Sequence, residues 1–350
     1  MRNPELETHN PQSAMPNYLR IGLFLFLFLF SAPHSCARGL DERVFRQSRM
    51  IMGTSVEITV SQTDSQRAEE AMAAAFREVE RIDWLMSHYR QGSEVSQITR
   101  HAGERETPAS PETLEVVERA LYFSRLSGGA FDITIGPVFR LWNFREGKIP
   151  EKENLQETLK KVDYRKIKVD PLKSSVYLES RGMELDLGAI AKGYAVDRAA
   201  AVLGKEGIQN FLVAAGGDLT VSGAKGNGVP WTIGIQHPRL PLELIAKLRP
   251  ARAAVATSGD YKKFFFRGGE RYHHILTPST GLPARECQSV TILAPSAMDA
   301  DALATSVFVL GPKKGFVLLE HFPDVQAIIV DRRGSVLLSP RWPAGLLSPP

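Results

Sequence analysis

The chain has 350 residues, 43% of them hydrophobic and 23% charged, which is ordinary globular usage with enough bulk for a sizeable buried core. Disordered, collagenous and coiled-coil organisations are therefore excluded as the main plan. The formal charge of +4 comes from 43 basic and 39 acidic residues without a long Lys/Arg run, so no nucleic-acid footprint stands out.

Residues 1–37 read as an export segment. Ile21 to Phe30 is a 10-residue apolar run, short of the roughly 20 residues that a spanning helix needs, and it leads into small, turn-forming residues up to Ala37. Ahead of it, Glu5 and Glu7 offset Arg2 and Arg20, whereas a start at Met15 would leave an acid-free, positive n-region. The start is Met1 or Met15, and processing falls either after Ala37 or at Cys36, which would then carry lipid, with a start-site artefact and a retained hydrophobic anchor as the alternative. The expectation is an exported, periplasmic protein, anchored to the inner membrane if Cys36 is acylated. Cys36 and Cys287 are the chain's two cysteines, so neither a disulfide framework nor a thiolate metal site is available.

From about residue 45, strand-like and helical patterns alternate. The reading is an α+β fold with largely antiparallel sheets, packed helices and a single large catalytic domain over 45–345. Alternation predicts a strand over 52–60. Ala68, Met72, Ala75, Val79, Ile82 and Met86 step along one face of a helix over 65–86. A second helix starts at Ser110-Pro111 and ends at Gly128-Gly129. Short strands are predicted at 176–178, 183–185, 210–214, 219–221, 231–235, 253–257, 262–266, 271–276 and 288–293. Helices follow at 190–203, 299–310 and 312–321, with a last strand pair at 326–330 and 336–338.

Four segments combine small residues with an acid or hydroxyl at a turn or helix start. In Asp186-Leu187-Gly188-Ala189-Ile190-Ala191-Lys192 a helix N-terminus and a following Lys favour an anionic ligand, while a plain turn with a solvated Lys reads equally well. Asp301 and Thr305 are one turn apart on a helix, a pair of hard oxygen donors suited to Mg²⁺, or a cap and a hydroxyl bonding back to a carbonyl. Ser258, Gly259 and Asp260 end one strand and His274 ends another, so a carboxylate beside a histidine general base is one reading. A satisfied structural histidine is the other, and His273 should face the opposite side of its strand. Gly216-Gly217-Asp218 permits close backbone approach to a ligand, or simply a hairpin turn. Tyr89, after the long helix, could stack on a flat heterocycle or cover core.

The order MGTSVEI, MSHYRQGSEVSQI, GGAFDITIGPV, DLGAIAKGYAVD, VAAGGDL, ATSGDY, HHILTPSTG and DADALATSVFVLG resembles the ApbE family of FAD:protein FMN transferases over about residues 50–340. The resemblance implies a T-fold-related, Mg²⁺-dependent enzyme that splits FAD, places FMN on a Thr or Ser hydroxyl of an acceptor protein and releases AMP. Acceptors would be subunits of Nqr- and Rnf-type membrane pumps or exported flavoproteins. By motif match, Asp301, Thr305 and the carbonyl of Ala189 would hold the metal, and Lys192 would lie near the diphosphate. Tyr89 would stack on the isoalloxazine, with Ser93 and Glu94 in the same loop. Asp186, Gly216, Gly217 and Asp218 would line the adenosine side, and Ser258, Gly259 and Asp260 a loop beside the nucleotide, while His274 would deprotonate the acceptor. Thr277 stands where the family usually has Asp, which removes a charge that could orient His274. An FAD pyrophosphatase giving FMN and AMP, and an exported flavin-binding protein without chemistry, remain as the alternatives.

Overall fold

The structure, a computed structural model, describes residues 42–340 and 342–350. The export segment, Cys36 and both candidate starts lie outside the described residues. An eight-stranded sheet forms the centre. Its strands run in the order Arg43–Ile51, Thr54–Gln62, Phe211–Ala215, Asp218–Ser222, Arg252–Gly259, Cys287–Ala294, Gln326–Asp331 and Val336–Leu338, and each neighbouring pair is antiparallel.

The central strands are buried at most positions because both faces are covered. On Arg252–Gly259, Ala254 and Ala256 enter the larger core while Ala253 and Val255 enter the smaller one. Ile292 against Leu293 and Ile329 against Ile328 divide in the same way, as a side-chain period of two requires. On the second face a three-stranded sheet containing Ile233–Gln236 and Leu244–Leu248 contributes Trp231, Ile233, Ile235 and Leu248 to the smaller core.

Seven α-helices are described: α1 (Ser65–Met86), α2 (Glu94–Arg100), α3 (Pro111–Leu126), α4 (Gly136–Leu141), α5 (Lys152–Leu159), α6 (Ala191–Lys205) and α7 (Ala297–Leu319). α1 starts where Asp64 accepts from the backbone N–H groups of Gln66 and Arg67 at 2.9 and 3.3 Å, and its apolar stripe from Ala68 to Met86 is buried. α7 is two helices run together across Gly311, whose φ of 75° breaks the ladder just before Pro312, as the predicted division at 310/312 requires. α6 and α7 approach closely at Gly193, where an added Cβ would lie 2.1 Å from the carbonyl oxygen of Ala297.

The structure departs from the sequence expectations at several elements. The strand predicted at 183–185 is an extended segment with one parallel bridge, Ile135 to Glu184. The edge strand Arg43–Ile51, the strands Ile167–Asp170 and Leu244–Leu248 and the short helices α2, α4 and α5 were not anticipated. Edge strands carry no apolar alternation when both faces are wet, and the Arg43–Ile51 strand is exposed or half-buried at every residue but Ile51.

Candidate active site

A cavity of about 750 Å³ opens at one end of these elements. Its wall takes Met52 to Thr54 from the first hairpin turn and Ser87 to Arg90 from the loop after α1. Asp186 to Ala189 and Lys192 enter from the approach to α6, Gly216 and Asp218 from a second hairpin turn, and Ser258 and Gly259 from a strand end. His274, with Asp301 and Thr305 of α7, also faces it, as do Ala130 to Ile133 after α3. The turn at Gly216 and Gly217 has φ values of 63° and 114°, which glycine adopts without a Cβ penalty.

Charge is concentrated at one point of this wall. Lys192 Nζ donates to Asp218 Oδ2 at 2.6 Å and to Asp301 Oδ2 at 2.9 Å, and the N–H of Gly193 also reaches Asp301 Oδ2 at 3.3 Å. One ammonium thus faces two buried carboxylates, leaving an excess negative charge in low dielectric. Burial, and after it the Asp301 charge, push the Asp218 carboxyl up to about 7. Burial works against the Lys192 charge, but Asp218 and Asp301 outweigh it and raise that pKa.

One helical turn beyond Asp301, Thr305 Oγ1 lies 3.2 Å from Ser258 Oγ. Among the described residues no group of three or more His, Cys, Asp or Glu is arranged for a metal ion. An ion here would combine carboxylate with hydroxyl, carbonyl and substrate oxygens, a hard-donor set that fits Mg²⁺. The uncompensated charge beside Lys192 fits a cation equally.

His274 and His273 differ in kind. His273 is buried, with Nε2 bonded to the carbonyl of Ala284 at 2.7 Å and Nδ1 accepting from the N–H of Ile275 at 3.3 Å. His274 lines the cavity, and its buried Nδ1 has no hydrogen-bond partner among the described residues. Burial, followed by the charge of Lys263, pushes its pKa down to about 3, so near pH 7 the ring is neutral, with a free lone pair, but only weakly basic while the cavity is empty. Tyr89 is 75% exposed at the mouth, packed at 3.9 Å on His88, whose Nδ1 lies 3.5 Å from Asp186 Oδ1. Its ring offers a flat apolar face to the cavity.

Four of the sequence candidates stand apart from the cavity wall. Asp260 points its carboxylate at Arg239, with both oxygens at 2.7 Å from the guanidinium, and makes no bond to His274. Ser93 caps α2 by accepting from the N–H of Ser96 at 3.0 Å. Glu94 accepts from the N–H and Oγ of Ser110 at 3.0 and 2.8 Å, joining α2 to the start of α3. Gly217 completes its turn without facing the cavity. Thr277 lies in a turn, its N–H bonded to the carbonyl of Leu282 at 2.8 Å, and is not part of the wall.

Sequence reasoning overlooked Lys262 and Lys263, which line the cavity beside His274; the pair directly after ATSGDY was the available signal. Asp197, the last residue of the DLGAIAKGYAVD motif, was given no role of its own; on α6 it accepts from Ser296 Oγ at 2.8 Å and from the N–H groups of Ala297 and Met298, both at 2.9 Å. That carboxylate fixes the start of the helix carrying Asp301 and Thr305.

The profile of the ApbE family matches residues 52–329. An FAD:protein FMN transferase of Treponema pallidum is 33% identical over 331 residues, spanning 89% of this chain and 91% of that protein. Its namesake from Vibrio cholerae is 34% identical over 278 residues, spanning 77% and 82%. Among solved structures, the flavin transferase ApbE of Vibrio cholerae superimposes with a TM-score of 0.76 at 30% identity over 85% of this chain and 96% of that one. The ApbE protein of Thermotoga maritima does so with a TM-score of 0.77 at 36% identity over 85% and 97%.

Proposed function

The chain belongs to the ApbE family, and from that premise we propose that it transfers FMN from FAD to a Thr or Ser hydroxyl of an acceptor protein, with Mg²⁺, releasing AMP. The observation that carries this reading is the meeting in one cavity of an oxygen-donor cluster on α7, a lysine, an exposed aromatic ring and an unpartnered imidazole nitrogen.

Each group has a task set by its chemistry. Tyr89 offers the face on which the isoalloxazine stacks. Lys192 and the start of α6 attract the diphosphate, with Lys262 and Lys263 on the same wall. Asp186, Gly216 and Asp218 line the adenosine side. Asp301, Thr305 and the carbonyl of Ala189 are the oxygens that would hold Mg²⁺, whose charge neutralises the diphosphate when it is bound.

Neutral His274 takes the proton of the acceptor hydroxyl. The hydroxyl oxygen forms its bond to the FMN phosphorus as the bond from that phosphorus to the bridging oxygen breaks. The bridging oxygen leaves with the electron pair, as AMP. An FAD diphosphate beside His274 raises the basicity of the ring above its value in the empty cavity.

We further propose that the protein is exported and periplasmic, either cleaved after Ala37 or lipid-anchored through Cys36. Subunits of Nqr- or Rnf-type pumps and exported flavoproteins are the acceptor class. The test incubates purified protein with FAD and Mg²⁺, with and without a Thr-bearing acceptor. The expected result is an FMN mass adduct on the acceptor with equimolar AMP. FMN and AMP formed equally well without acceptor would make the protein a pyrophosphatase, and FAD recovered intact would make it a binding protein. Intact mass of the mature chain separates cleavage from acylation.

A further inference from the structure

Two buried carboxylates of the cavity wall share one cation. Lys192 Nζ lies 2.6 Å from Asp218 Oδ2 and 2.9 Å from Asp301 Oδ2, and neither carboxylate side chain is more than 6% exposed. Among the described residues neither has another ion-pair partner. Without the ammonium, two like charges would stand side by side in low dielectric.

The same ammonium stands in the way of a metal ion. A hard divalent cation bonds directly to a carboxylate oxygen, and Asp301 is the only carboxylate in the donor set proposed above. Its Oδ2 already accepts from Lys192 and from the N–H of Gly193. Oδ1 makes no hydrogen bond among the described residues, but an ion there would face the ammonium across one carboxylate, and like charges that close repel strongly outside bulk water. Thr305 raises no such obstacle, because its Oγ1 can donate to Ser258 Oγ at 3.2 Å and keep its lone pairs for a cation.

Lys192 has another partner to turn to. An ammonium carries three N–H donors; two reach the carboxylates, and the side chain lines the cavity, so the third is open to a phosphate oxygen. Asp218 holds the ammonium by the shorter of the two bonds and would keep it in the wall if the bond to Asp301 were given up. A diphosphate thus replaces Asp301 as the second anion beside Lys192 and frees that carboxylate.

We propose that Lys192 couples the metal site to the nucleotide: in the ligand-free protein its ammonium holds Asp301, and it releases that carboxylate to a divalent cation when the diphosphate of FAD takes up the ammonium. The proposal rests on the Mg²⁺ site of the reading above and adds that the metal is loaded with the nucleotide and not ahead of it.

The test titrates the full protein with Mn²⁺, read as loss of the free-ion electron paramagnetic resonance signal. It is run on the ligand-free protein and on its FAD complex freed of excess nucleotide, for the parent, Lys192→Met and Lys192→Arg. Without FAD, Lys192→Met should bind Mn²⁺ about tenfold more tightly than the parent, since a like charge at ion-pair distance is gone. Lys192→Arg keeps the charge and should stay within about twofold of the parent. In the FAD complexes, parent and Lys192→Met should agree within about threefold, because the parent's ammonium has by then left Asp301.

A gain of the same size with and without FAD would mean plain repulsion and overturns the coupling, as does no gain in ligand-free Lys192→Met. Circular dichroism checks the fold. Where the single variant fails to fold, Lys192→Met/Asp218→Asn, which leaves Asp301 as the one carboxylate of the pair, takes its place with a gain expected in the same direction. Asp301→Ala added to Lys192→Met separates the proposal from the reading beneath it. Mn²⁺ binding that survives this change removes Asp301 from the metal site. Binding lost there, with parent and Lys192→Met alike in the ligand-free state, keeps the site and rejects only the role of Lys192.

Discussion

Asp301 is buried, and a buried charge is usually costly to remove. Here the cost is small, because Lys192 keeps Asp218 at 2.6 Å when Asp301 is gone, and one ammonium against one carboxylate is the better-balanced site. Asp301→Ala should keep its melting temperature within about 3 °C of the parent and lose Mg²⁺-stimulated turnover by about a hundredfold. Undiminished turnover would remove Asp301 from the metal site. His274 gives a residue-scale test that needs no ligand. Its pKa falls from 6.5 in the unfolded chain to about 3 when folded. Between those values the unfolded chain binds a proton that the native ring refuses, so this contribution is complete above pH 6.5 and is lost as pH falls towards 3. Urea titrations across that window should show a shallower decline in His274→Gln than in the parent, and the variant's transfer rate should drop by about 10²-fold or more.

Between elements, the decisive contact is the crossing of α6 and α7, because Lys192 is on one helix and Asp301 and Thr305 are on the other. Gly193 permits it: a methyl there would meet the Ala297 carbonyl oxygen at 2.1 Å, whereas one at Gly204, on the same helix, would meet nothing within 4 Å. Gly193→Ala should therefore lose about 1–3 kcal/mol in urea unfolding and weaken FAD binding. Gly204→Ala should be neutral or slightly stabilising; equal effects at the two positions would deny the crossing its role. This pairing also marks what the sequence could convey. Helical periodicity exposed both helices, and the small residue after Lys192 was visible, but the neighbour that requires it lies more than a hundred residues away. The misread strand at 183–185 has a related cause. Met183, Leu185 and Leu187 alternate because they are buried, yet the segment is held by single contacts such as the N–H of Asp186 to the carbonyl of Ile133 at 2.8 Å, so alternation reported burial and not a ladder. Asp260 was misjudged for want of the same information, since its partner Arg239 lies on another loop.

Across the whole molecule, α7 is long and apolar enough to cross a membrane by length and composition, yet it lies largely inside the protein. It forms the spine between the central sheet and the site. The fold class was legible because hairpin spacing and helical stripes are local signals. The cavity as a single place became visible only when the sheet brought residues 52 and 305 together. Since its wall is drawn from nearly the full span of that architecture, a ligand held there links elements that otherwise unfold as neighbours, and binding should register as global stability. FAD at a hundred times its dissociation constant adds about 2.7 kcal/mol, which for a chain of this size is a rise of about 5 °C in melting temperature. Mg²⁺ has few protein donors in the cavity, so alone it should raise the temperature little. With FAD the increment should exceed the sum of the separate ones, because the diphosphate supplies oxygens that the protein lacks. In Asp301→Ala the FAD increment should survive while the cooperative part disappears. Differential scanning fluorimetry with FAD, Mg²⁺ and both distinguishes the cases, and strictly additive shifts in the parent would mean that metal and diphosphate do not share a site.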